Sequence, residues 1–165
     1  MVDDPMTGRV APPLCLPDAT GREVCLAEFA QQWVVLYFYP KDGTMGCTRE
    51  AREFSAALDQ FQALGSRVIG VSPDTPDRHL AFIRKEGLKV LLLADPTHET
   101  LQEYGVWAKK KQYGREYMGV VRSTFLIGPD GRIRAVWRGV MVAGHVDVVQ
   151  ERLAALIGAA SQGGL

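Results

Sequence analysis

One thiol stands where an apolar run of the chain gives way to a helical pattern. In "VVLYFYPKDGTMGCTREAREF", residues 34–54, Cys47 follows a turn rich in glycine and opens the helical pattern. A cysteine in the first turn of a helix faces unpaired backbone N–H groups and the positive end of the helix dipole, and both favour the thiolate. Because the thiolate is the nucleophilic form, this position predicts a reactive cysteine.

The residues beside Cys47 leave room for a small substrate. Gly43 and Gly46 keep the backbone open to close approach, and Pro40 ends the preceding strand by removing a backbone donor. Thr44 lies three residues before Cys47, and its hydroxyl can both donate and accept a hydrogen bond. A nucleophile at a strand-to-helix turn with a hydroxyl beside it is a usable active site.

The other two cysteines, Cys15 and Cys25, lie in short apolar runs. These runs belong to "LCLPDATGREVCL", which predicts a β-hairpin around its Asp-Ala-Thr-Gly turn. Free cysteines are most often buried small hydrophobic residues, and we expect that role for both. A disulfide scaffold is not expected in a chain of 165 residues that can form its own core.

The composition excludes several classes of protein. The 19 basic residues balance 19 acidic ones, so no general attraction to nucleic acid or anionic lipid is expected. No window approaches the roughly 18 apolar residues of a membrane span. The first residues lack the basic and apolar segments of a secretory signal. We therefore expect a cytoplasmic protein that binds neither nucleic acid nor membrane.

Other polar residues show no pattern that predicts chemistry. The histidines, His79, His98 and His145, lie far apart without ligand spacing, so we expect surface or helix-end positions and no metal site. Three consecutive lysines within residues 107–117 are interpreted as part of a solvated loop. The apolar stripes of the helices are interpreted as core, and no cofactor is assigned to them.

The order of the apolar patterns predicts how these residues are positioned. Residues 33–39 form a continuous apolar run, typical of a strand buried on both faces, and from Glu50 to Leu64 apolar residues recur at helical spacing. Strand and helix patterns then alternate before a hairpin around Gly-Pro-Asp-Gly and a closing helix over 146–158. The β-α-β part implies parallel pairing, and the hairpin adds antiparallel strands.

We therefore expect one α/β domain over residues 1–165 with a thioredoxin-like fold. A mixed central β-sheet would be flanked by helices on both faces and preceded by the N-terminal β-hairpin. Residues 1–13 are expected to be an extended lead-in, and residues 159–165 a flexible tail.

Two motifs resemble the peroxiredoxins. "YPKDGTMGCTREA" is similar to their peroxidatic motif Pro-x-x-x-Thr-x-x-Cys, supplied here by Pro40, Thr44 and Cys47. The residues that follow Cys47 resemble the bacterioferritin comigratory protein branch, also called the Q type. A second stretch, "YGVWAKKKQYGREYMGVVRSTFLIGPDGRI", resembles the segment that carries the active-site arginine of the family, here Arg122. The similarity extends over nearly the whole chain.

The resemblance implies a role for each of these residues. The Cys47 thiolate would attack one peroxide oxygen and become sulfenic acid, while Arg122 would hold the thiolate and donate to the peroxide oxygens. Thr44 would bind the incoming peroxide, Pro40 would shield the site from water, and backbone N–H groups near Gly46 would bind the substrate. The implied activity is reduction of hydrogen peroxide and organic hydroperoxides by a cofactor-free monomer, with thioredoxin or another external thiol as reductant.

The thiol that resolves the sulfenic acid is not evident in the sequence. Relatives of this branch often carry a resolving cysteine five residues after the peroxidatic one, but this chain has Arg52 there, and no cysteine follows Cys47. Cys15 or Cys25 could resolve it, although their hairpin positions would require movement. We therefore favour a one-cysteine mechanism, in which an external thiol attacks the sulfenic acid directly.

Two other functions remain as alternatives. A thiol-disulfide oxidoreductase on the same fold would need a CxxC motif, but Thr44 takes the place of its first cysteine, and no proline precedes "STFLI". A non-enzymatic redox sensor would use the Cys47 sulfenic acid as its signal. Catalytic turnover of peroxide with excess dithiothreitol would distinguish an enzyme from a sensor.

Overall fold

Nine strands and five α-helices are found in residues 3–163, the part of the chain that the computed structural model describes. The strands are β1 (Cys15–Pro17), β2 (Glu23–Cys25), β3 (Trp33–Phe38), β4 (Ser66–Ser72), β5 (Leu91–Ala94), β6 (Trp107–Gln112), β7 (Arg115–Val120), β8 (Ser123–Ile127) and β9 (Ile133–Arg138). The helices are α1 (Met45–Ala56), α2 (Leu58–Ala63), α3 (Pro76–Glu86), α4 (Glu99–Glu103) and α5 (His145–Gly163).

A mixed five-stranded sheet forms the centre of the fold, as predicted. Its strand order is β5-β4-β3-β8-β9, with β3, β4 and β5 parallel and β8 antiparallel to both of its neighbours. The parallel strands need crossover connections, which α1, α2 and α3 supply. All six residues of β3 are buried, which explains its continuous apolar sequence.

Because side chains alternate along a strand, β3 contributes to two separate cores. Val34, Leu36 and Phe38 pack with the N-terminal hairpin and with Leu101 of α4, in what we call the hairpin-side core. The odd-numbered residues of β3 pack with α1, α2, α3 and α5 in what we call the helix-side core. Cys47 belongs to the helix-side core.

The N-terminal hairpin corrects the expectation for its cysteines. Cys15 and Cys25 are not buried free thiols; they pair directly across β1 and β2 and are joined by a disulfide. Leu16 and Val24, which alternate with them, fill the buried positions. The sequence contained a signal for this pairing, because a hairpin that turns at Asp18 to Gly21 places the two cysteines opposite each other.

The lysine-rich segment is also different from the prediction. Residues 107–117, interpreted as a solvated loop, form most of an antiparallel ribbon of β6 and β7. Tyr113 and Gly114 connect the strands with φ of 53° and 76°, the positive values that a tight hairpin turn requires. Lysine is a weak strand former, so the turn rather than the strand composition was the informative signal.

The ends of two helices lie outside the ranges expected from apolar periodicity. Helix α1 begins at Met45 rather than at Glu50; Cys47 is the one buried side chain of its first turn, so apolar periodicity did not show this turn. Helix α5 continues to Gly163, so residues 159–163 are helical rather than a flexible tail, and two alanines at 159 and 160 favour this extension. Residues 1–2 and 164–165 lie outside the described part.

The expected lead-in is partly held to the sheet. Ile133 donates a backbone hydrogen bond to Arg9, and Ala11 is buried in the hairpin-side core. Within residues 3–163, none of the helices combines the length and apolar character that crossing a bilayer requires.

Candidate active site

The loop between β3 and α1 carries the predicted motif to the edge of the helix-side core. Pro40 is half-buried two residues after β3, and Thr44 is the N-cap residue of α1 in an extended conformation. Cys47 is the third residue of α1, as predicted, and is only 1% exposed. The backbone N–H of Thr48 donates to the Thr44 carbonyl at 2.8 Å and closes the first turn around the sulfur.

Pairing of β3 with β8 brings Arg122 to this loop. Phe38 at the end of β3 pairs with Ser123 at the start of β8, so the residue before Ser123 lies beside the chain that leaves β3. Arg122 Nη2 donates to Cys47 Sγ at 3.3 Å. The two residues that the sequence could connect only through a resemblance are thus in direct contact.

Gly46 has a steric role as well as an open backbone. A Cβ atom at this position would lie 3.2 Å from Arg122 Nη2, closer than most side chains approach. The absence of that atom allows the guanidinium to lie against the first turn of α1 and to reach Cys47. Gly46 therefore favours the observed Arg122 position, because any larger residue would press against the guanidinium.

Glu50 is a site residue to which sequence reasoning assigned no role. It is fully buried, and its Oε1 accepts a 2.7 Å hydrogen bond from Arg122 Nη1. Burial raises the pKa of Glu50 to about 7, against the opposing effect of the Arg122 charge. One signal was available: residues 47, 50, 51 and 54 lie at helical spacing, and an acid within such a stripe is unusual.

The guanidinium of Arg122 therefore connects a sulfur and a carboxylate. Burial acts to lower the pKa of Arg122, but Cys47 and Glu50 together hold it above its ordinary value. Its planar fork directs one nitrogen to each partner, which a lysine ammonium cannot do with the same geometry. Glu50 Oε2 and the Tyr37 hydroxyl are the buried side-chain polar atoms of residues 3–163 that have no hydrogen-bond partner. Such unpaired groups cost stability and are tolerated most readily at functional sites.

We expect Glu50→Gln to remove a pH dependence of activity. In the wild type, protonation of Glu50 below its pKa of about 7 weakens its hold on Arg122. Activity per Cys47 thiolate should therefore decrease at acid pH, by up to about 10²-fold if Arg122 is displaced. The variant carries a permanently neutral side chain of the same size, so its activity should be low and flat across this range. The measurement is kcat/KM against pH for both proteins, normalised to the alkylation rate of Cys47; parallel profiles would contradict the role of Glu50.

The protonation state of Glu50 should also affect the free energy of unfolding. Here the contribution is favourable at acid pH, where activity is expected to decrease. The folded pKa of about 7 lies above the ordinary value of 4.5, so the native state binds more protons than the unfolded chain. This contribution to stability is complete below pH 4.5 and is lost as the pH rises through about 7. The difference in the free energy of unfolding between wild type and Glu50→Gln should therefore change across this window.

Thr44 does not contact Cys47 through its hydroxyl in this structure. Its Oγ1 donates to the Lys41 carbonyl at 2.9 Å, and the residue is exposed. A hydroxyl oxygen that donates one hydrogen bond keeps acceptor capacity. The side chain is therefore positioned by the loop and remains able to accept a hydrogen bond from a substrate.

A buried histidine–aspartate hydrogen bond fixes the loop that precedes α1. Asp42 Oδ2 lies 2.6 Å from His79 Nδ1, and Asp42 Oδ1 accepts a 2.6 Å hydrogen bond from the Tyr39 hydroxyl. His79 Nε2 lies 2.9 Å from the Leu93 carbonyl oxygen. Both ring nitrogens thus lie within hydrogen-bond distance of an oxygen, and the imidazole connects the loop to β5.

Asp74 holds the same loop through its backbone. Asp74 Oδ2 accepts hydrogen bonds from the Asp42 N–H at 2.8 Å and from the Ser72 hydroxyl at 2.6 Å. Asp42, Asp74 and His79 are close enough to be considered as metal ligands. Their polar atoms bind one another, and this cluster is best explained as a structural anchor between the loop, β4, α3 and β5.

The prediction that the histidines occupy surface or helix-end positions is wrong for His79, which is fully buried within α3. His145 begins α5 but is also buried, with Nε2 2.8 Å from the Thr124 hydroxyl oxygen. Burial, with a smaller effect from Arg122, lowers the pKa of His145 to about 4, so its imidazole is neutral. Neither residue showed a sequence signal, because their partners are distant in the chain.

Lys110 of β6 also lies within the electrostatic field of the site. Its pKa is lowered, first by partial burial and then by the Arg122 charge, while Cys47 acts in the opposite direction. The ribbon of β6 and β7 therefore adds a second cation near the thiol, which the interpretation of a solvated loop did not predict.

We expect His79→Leu to destabilise the protein by about 3–5 kcal/mol, because it leaves the buried Asp42 carboxylate without its partner. Chemical denaturation measures the change, and Lys85→Gln on the exposed face of α3 is the matched control. The control should change the free energy of unfolding by no more than about 0.5 kcal/mol. A result for His79→Leu within that range would show that the pair does not anchor the loop.

The chain is similar to a group of known proteins. A family model described as the AhpC/TSA family matches residues 7–136. Peroxiredoxin Bcp of Bacillus subtilis is 45% identical over 139 residues, which cover 84% of this chain and 88% of that protein. Peroxiredoxin Bcp of Escherichia coli is 39% identical over 142 residues, which cover 86% of this chain and 91% of that protein.

Solved structures show the same similarity in three dimensions. One is the bacterioferritin comigratory protein of Xanthomonas campestris, whose structures concern its alkyl peroxide reduction activity. It matches with a TM-score of 0.83 and 38% identity, covering 87% of this chain and 92% of that one. A cysteine-to-serine mutant of peroxiredoxin Q from the same organism matches with a TM-score of 0.86 and 36% identity, covering 94% of this chain and 99% of that one.

Proposed function

This chain belongs to the AhpC/TSA family and is a peroxiredoxin of the Bcp branch, and we propose that Cys47 is the residue that attacks the peroxide. The observation that carries the proposal is the contact between Cys47 Sγ, in the first turn of α1, and Arg122 Nη2 at 3.3 Å. A thiol with a neighbouring guanidinium and helix N–H groups has the surroundings that favour a nucleophilic thiolate.

The first chemical step uses groups that already lie together. The Cys47 thiolate attacks one oxygen of the peroxide, the S–O bond forms, and the O–O bond breaks. The leaving oxygen takes up a proton and departs as water or as an alcohol, while Cys47 becomes sulfenic acid. Arg122 stabilises the charge that develops on the leaving oxygen, and Glu50 holds the guanidinium in place for this purpose.

The remaining motif residues act around this centre. Thr44 accepts a hydrogen bond from the incoming peroxide through the oxygen that already donates to Lys41. Pro40, half-buried after β3, limits access of water to the thiolate. Backbone N–H groups near Gly46 and Cys47 donate to the substrate.

A thiol reductant returns Cys47 to its reduced form. A thiol of the thioredoxin class attacks the sulfenic sulfur, and the mixed disulfide then exchanges to release the Cys47 thiolate. Such reductants are supplied in reducing compartments, so we place the protein in the cytoplasm, where it acts as a monomer. Hydrogen peroxide and organic hydroperoxides are its substrates, which makes it an antioxidant enzyme.

The test is consumption of hydrogen peroxide and of an alkyl hydroperoxide with excess dithiothreitol. We expect many turnovers per protein molecule. A single stoichiometric oxidation would instead favour a redox sensor, and disulfide reduction without peroxide turnover would favour a thiol-disulfide oxidoreductase. Either result would contradict the proposed function.

A further inference from the structure

The disulfide between Cys15 and Cys25 lies on the outward face of the N-terminal hairpin. Cys15 is exposed and Cys25 is half-buried, whereas Leu16 and Val24 point into the hairpin-side core. Each strand of this hairpin contains only three residues. The sulfur atoms are therefore accessible to other molecules, and the disulfide is not enclosed by the fold.

Cys15 and Cys25 are the two cysteines of the chain besides Cys47. The sequence has three cysteines, and Arg52 occupies the position where a resolving cysteine in α1 would stand. A peroxidatic cycle needs a thiol to reduce the sulfenic acid. Within this chain, only Cys15 and Cys25 can supply it.

The two redox centres lie on opposite sides of the central sheet. Cys47 packs in the helix-side core, whereas the hairpin packs on the hairpin-side core with its sulfurs directed outward. Packed layers are separated by about 10 Å, which already exceeds the Cα separation of about 7 Å that a disulfide allows. A bond between Cys47 and the hairpin of the same molecule would therefore require a large movement of the hairpin or of α1.

We propose that, in addition to the external thiol, the reduced Cys15–Cys25 pair of one molecule resolves the Cys47 sulfenic acid of a second copy of this chain when two monomers meet. The inference rests on the proposed function of Cys47. The Cys15 thiolate attacks the sulfenic sulfur, an S–S bond forms, and the hydroxyl leaves as water after taking up one proton. Cys25 then attacks the Cys15 sulfur, which gives the intramolecular disulfide and releases the Cys47 thiolate of the partner molecule.

The hairpin register favours the second step. Cys25 lies directly opposite Cys15, so its thiolate attacks within the same molecule without a search for its target. The mixed disulfide is therefore short-lived, and the oxidised pair is the stable product. An external dithiol, such as a thioredoxin-class protein, then reduces the exposed pair and becomes oxidised itself.

Access to Cys47 requires that the first turn of α1 opens, because the sulfur is only 1% exposed. Two features of the helix start favour this opening. Thr44 makes no side-chain cap hydrogen bond to the helix, and Met45 is 90% exposed. Glycines at positions 43 and 46 add backbone freedom on either side.

The first experiment follows thiols of the fully reduced protein after less than one equivalent of hydrogen peroxide, with no other reductant. We expect loss of two hydrogens, a peptide map with the Cys15–Cys25 disulfide, and a free Cys47 thiol. Doubling the protein concentration should halve the half-time of disulfide formation, because two molecules must meet. A rate that does not depend on protein concentration, or Cys47 sulfenic acid that persists beside two free hairpin thiols, would overturn the proposal.

The second experiment places the hairpin thiols and the Cys47 sulfenic acid on two different variants. The donor is reduced Cys47→Ser, which keeps the hairpin thiols; the acceptor is the Cys15→Ser, Cys25→Ser double variant, oxidised at Cys47 and verified with a sulfenic acid trap. On mixing, we expect the disulfide in the donor and a regenerated thiol in the acceptor. The control is a donor that carries both Cys47→Ser and Cys15→Ser. This control should yield at most a stable mixed disulfide between its Cys25 and Cys47 of the acceptor.

The outcomes distinguish this inference from the proposed function. If the reduced wild type consumes no peroxide and the trap finds no sulfenic acid in the acceptor, the role of Cys47 is wrong. If the acceptor forms sulfenic acid but mixing with the donor leaves it unchanged, Cys47 is peroxidatic and the hairpin does not resolve it.

Discussion

Replacement of Cys47 by serine should reduce peroxide turnover to background. The Cys47 sulfur lies in the first turn of α1 and contacts Arg122, and neither hairpin cysteine shares these surroundings. A serine hydroxyl is not ionised at neutral pH and cannot form a sulfenic acid. The expected loss in kcat is about 10³-fold or more, the scale on which removal of an enzyme nucleophile acts. The measurement is initial consumption of hydrogen peroxide with excess dithiothreitol, with circular dichroism to show that the fold is kept.

Oxidation of exposed methionines is the competing explanation for peroxide loss. Met141 is 85% exposed, so Met141→Leu is the matched control and should keep the wild-type rate. Substantial turnover by Cys47→Ser would exclude Cys47 as the peroxidatic residue.

Replacement of Arg122 should have the second largest effect. We expect Arg122→Lys to lower kcat/KM by about 10²–10³-fold, the range observed when one positioned donor is removed from a charge-stabilising site. The charge is kept, but a single ammonium cannot donate to Cys47 and Glu50 with the geometry of the guanidinium fork. Arg122→Met should also slow alkylation of Cys47 at neutral pH, since no cation then lies against the sulfur.

A double variant distinguishes a loss of catalysis from a loss of folding stability. Arg122→Met leaves the buried Glu50 carboxylate without its partner, so the double variant with Glu50→Gln should recover stability but not activity. Arg115→Lys on the exposed part of β7 is the same substitution outside the site and should retain full activity. Wild-type kcat/KM in Arg122→Lys would show that the guanidinium is not used in catalysis.

The order of secondary structure elements was predictable because it depends on short-range periodicity. Strand β3 is buried on both faces and therefore has a continuous apolar sequence, and α5 shows helical spacing of its apolar residues. The turn between β3 and α1 follows from Pro40 and two glycines. These features placed Cys47 in the first turn of a helix before any contact was known.

Contacts between distant segments were decided only by the tertiary structure. Arg122 lies 75 residues from Cys47, and His79 lies 37 residues from Asp42. The first pair depends on the pairing of β3 with β8, and the second on packing of α3 against the sheet; no local pattern records either. The resemblance predicted Arg122, but no sequence feature predicted the buried hydrogen bond between Asp42 and His79.

The sequence by itself thus determined the fold class, the position of Cys47 in the first turn of a helix and the absence of a cysteine at position 52. The tertiary structure decided that Glu50 holds Arg122 and that Cys15 and Cys25 bond to each other rather than remain buried thiols. The physical reason is the same in both cases. Local periodicity shows whether a side chain faces a core, but strand register and the pairing of buried charges determine which groups meet there.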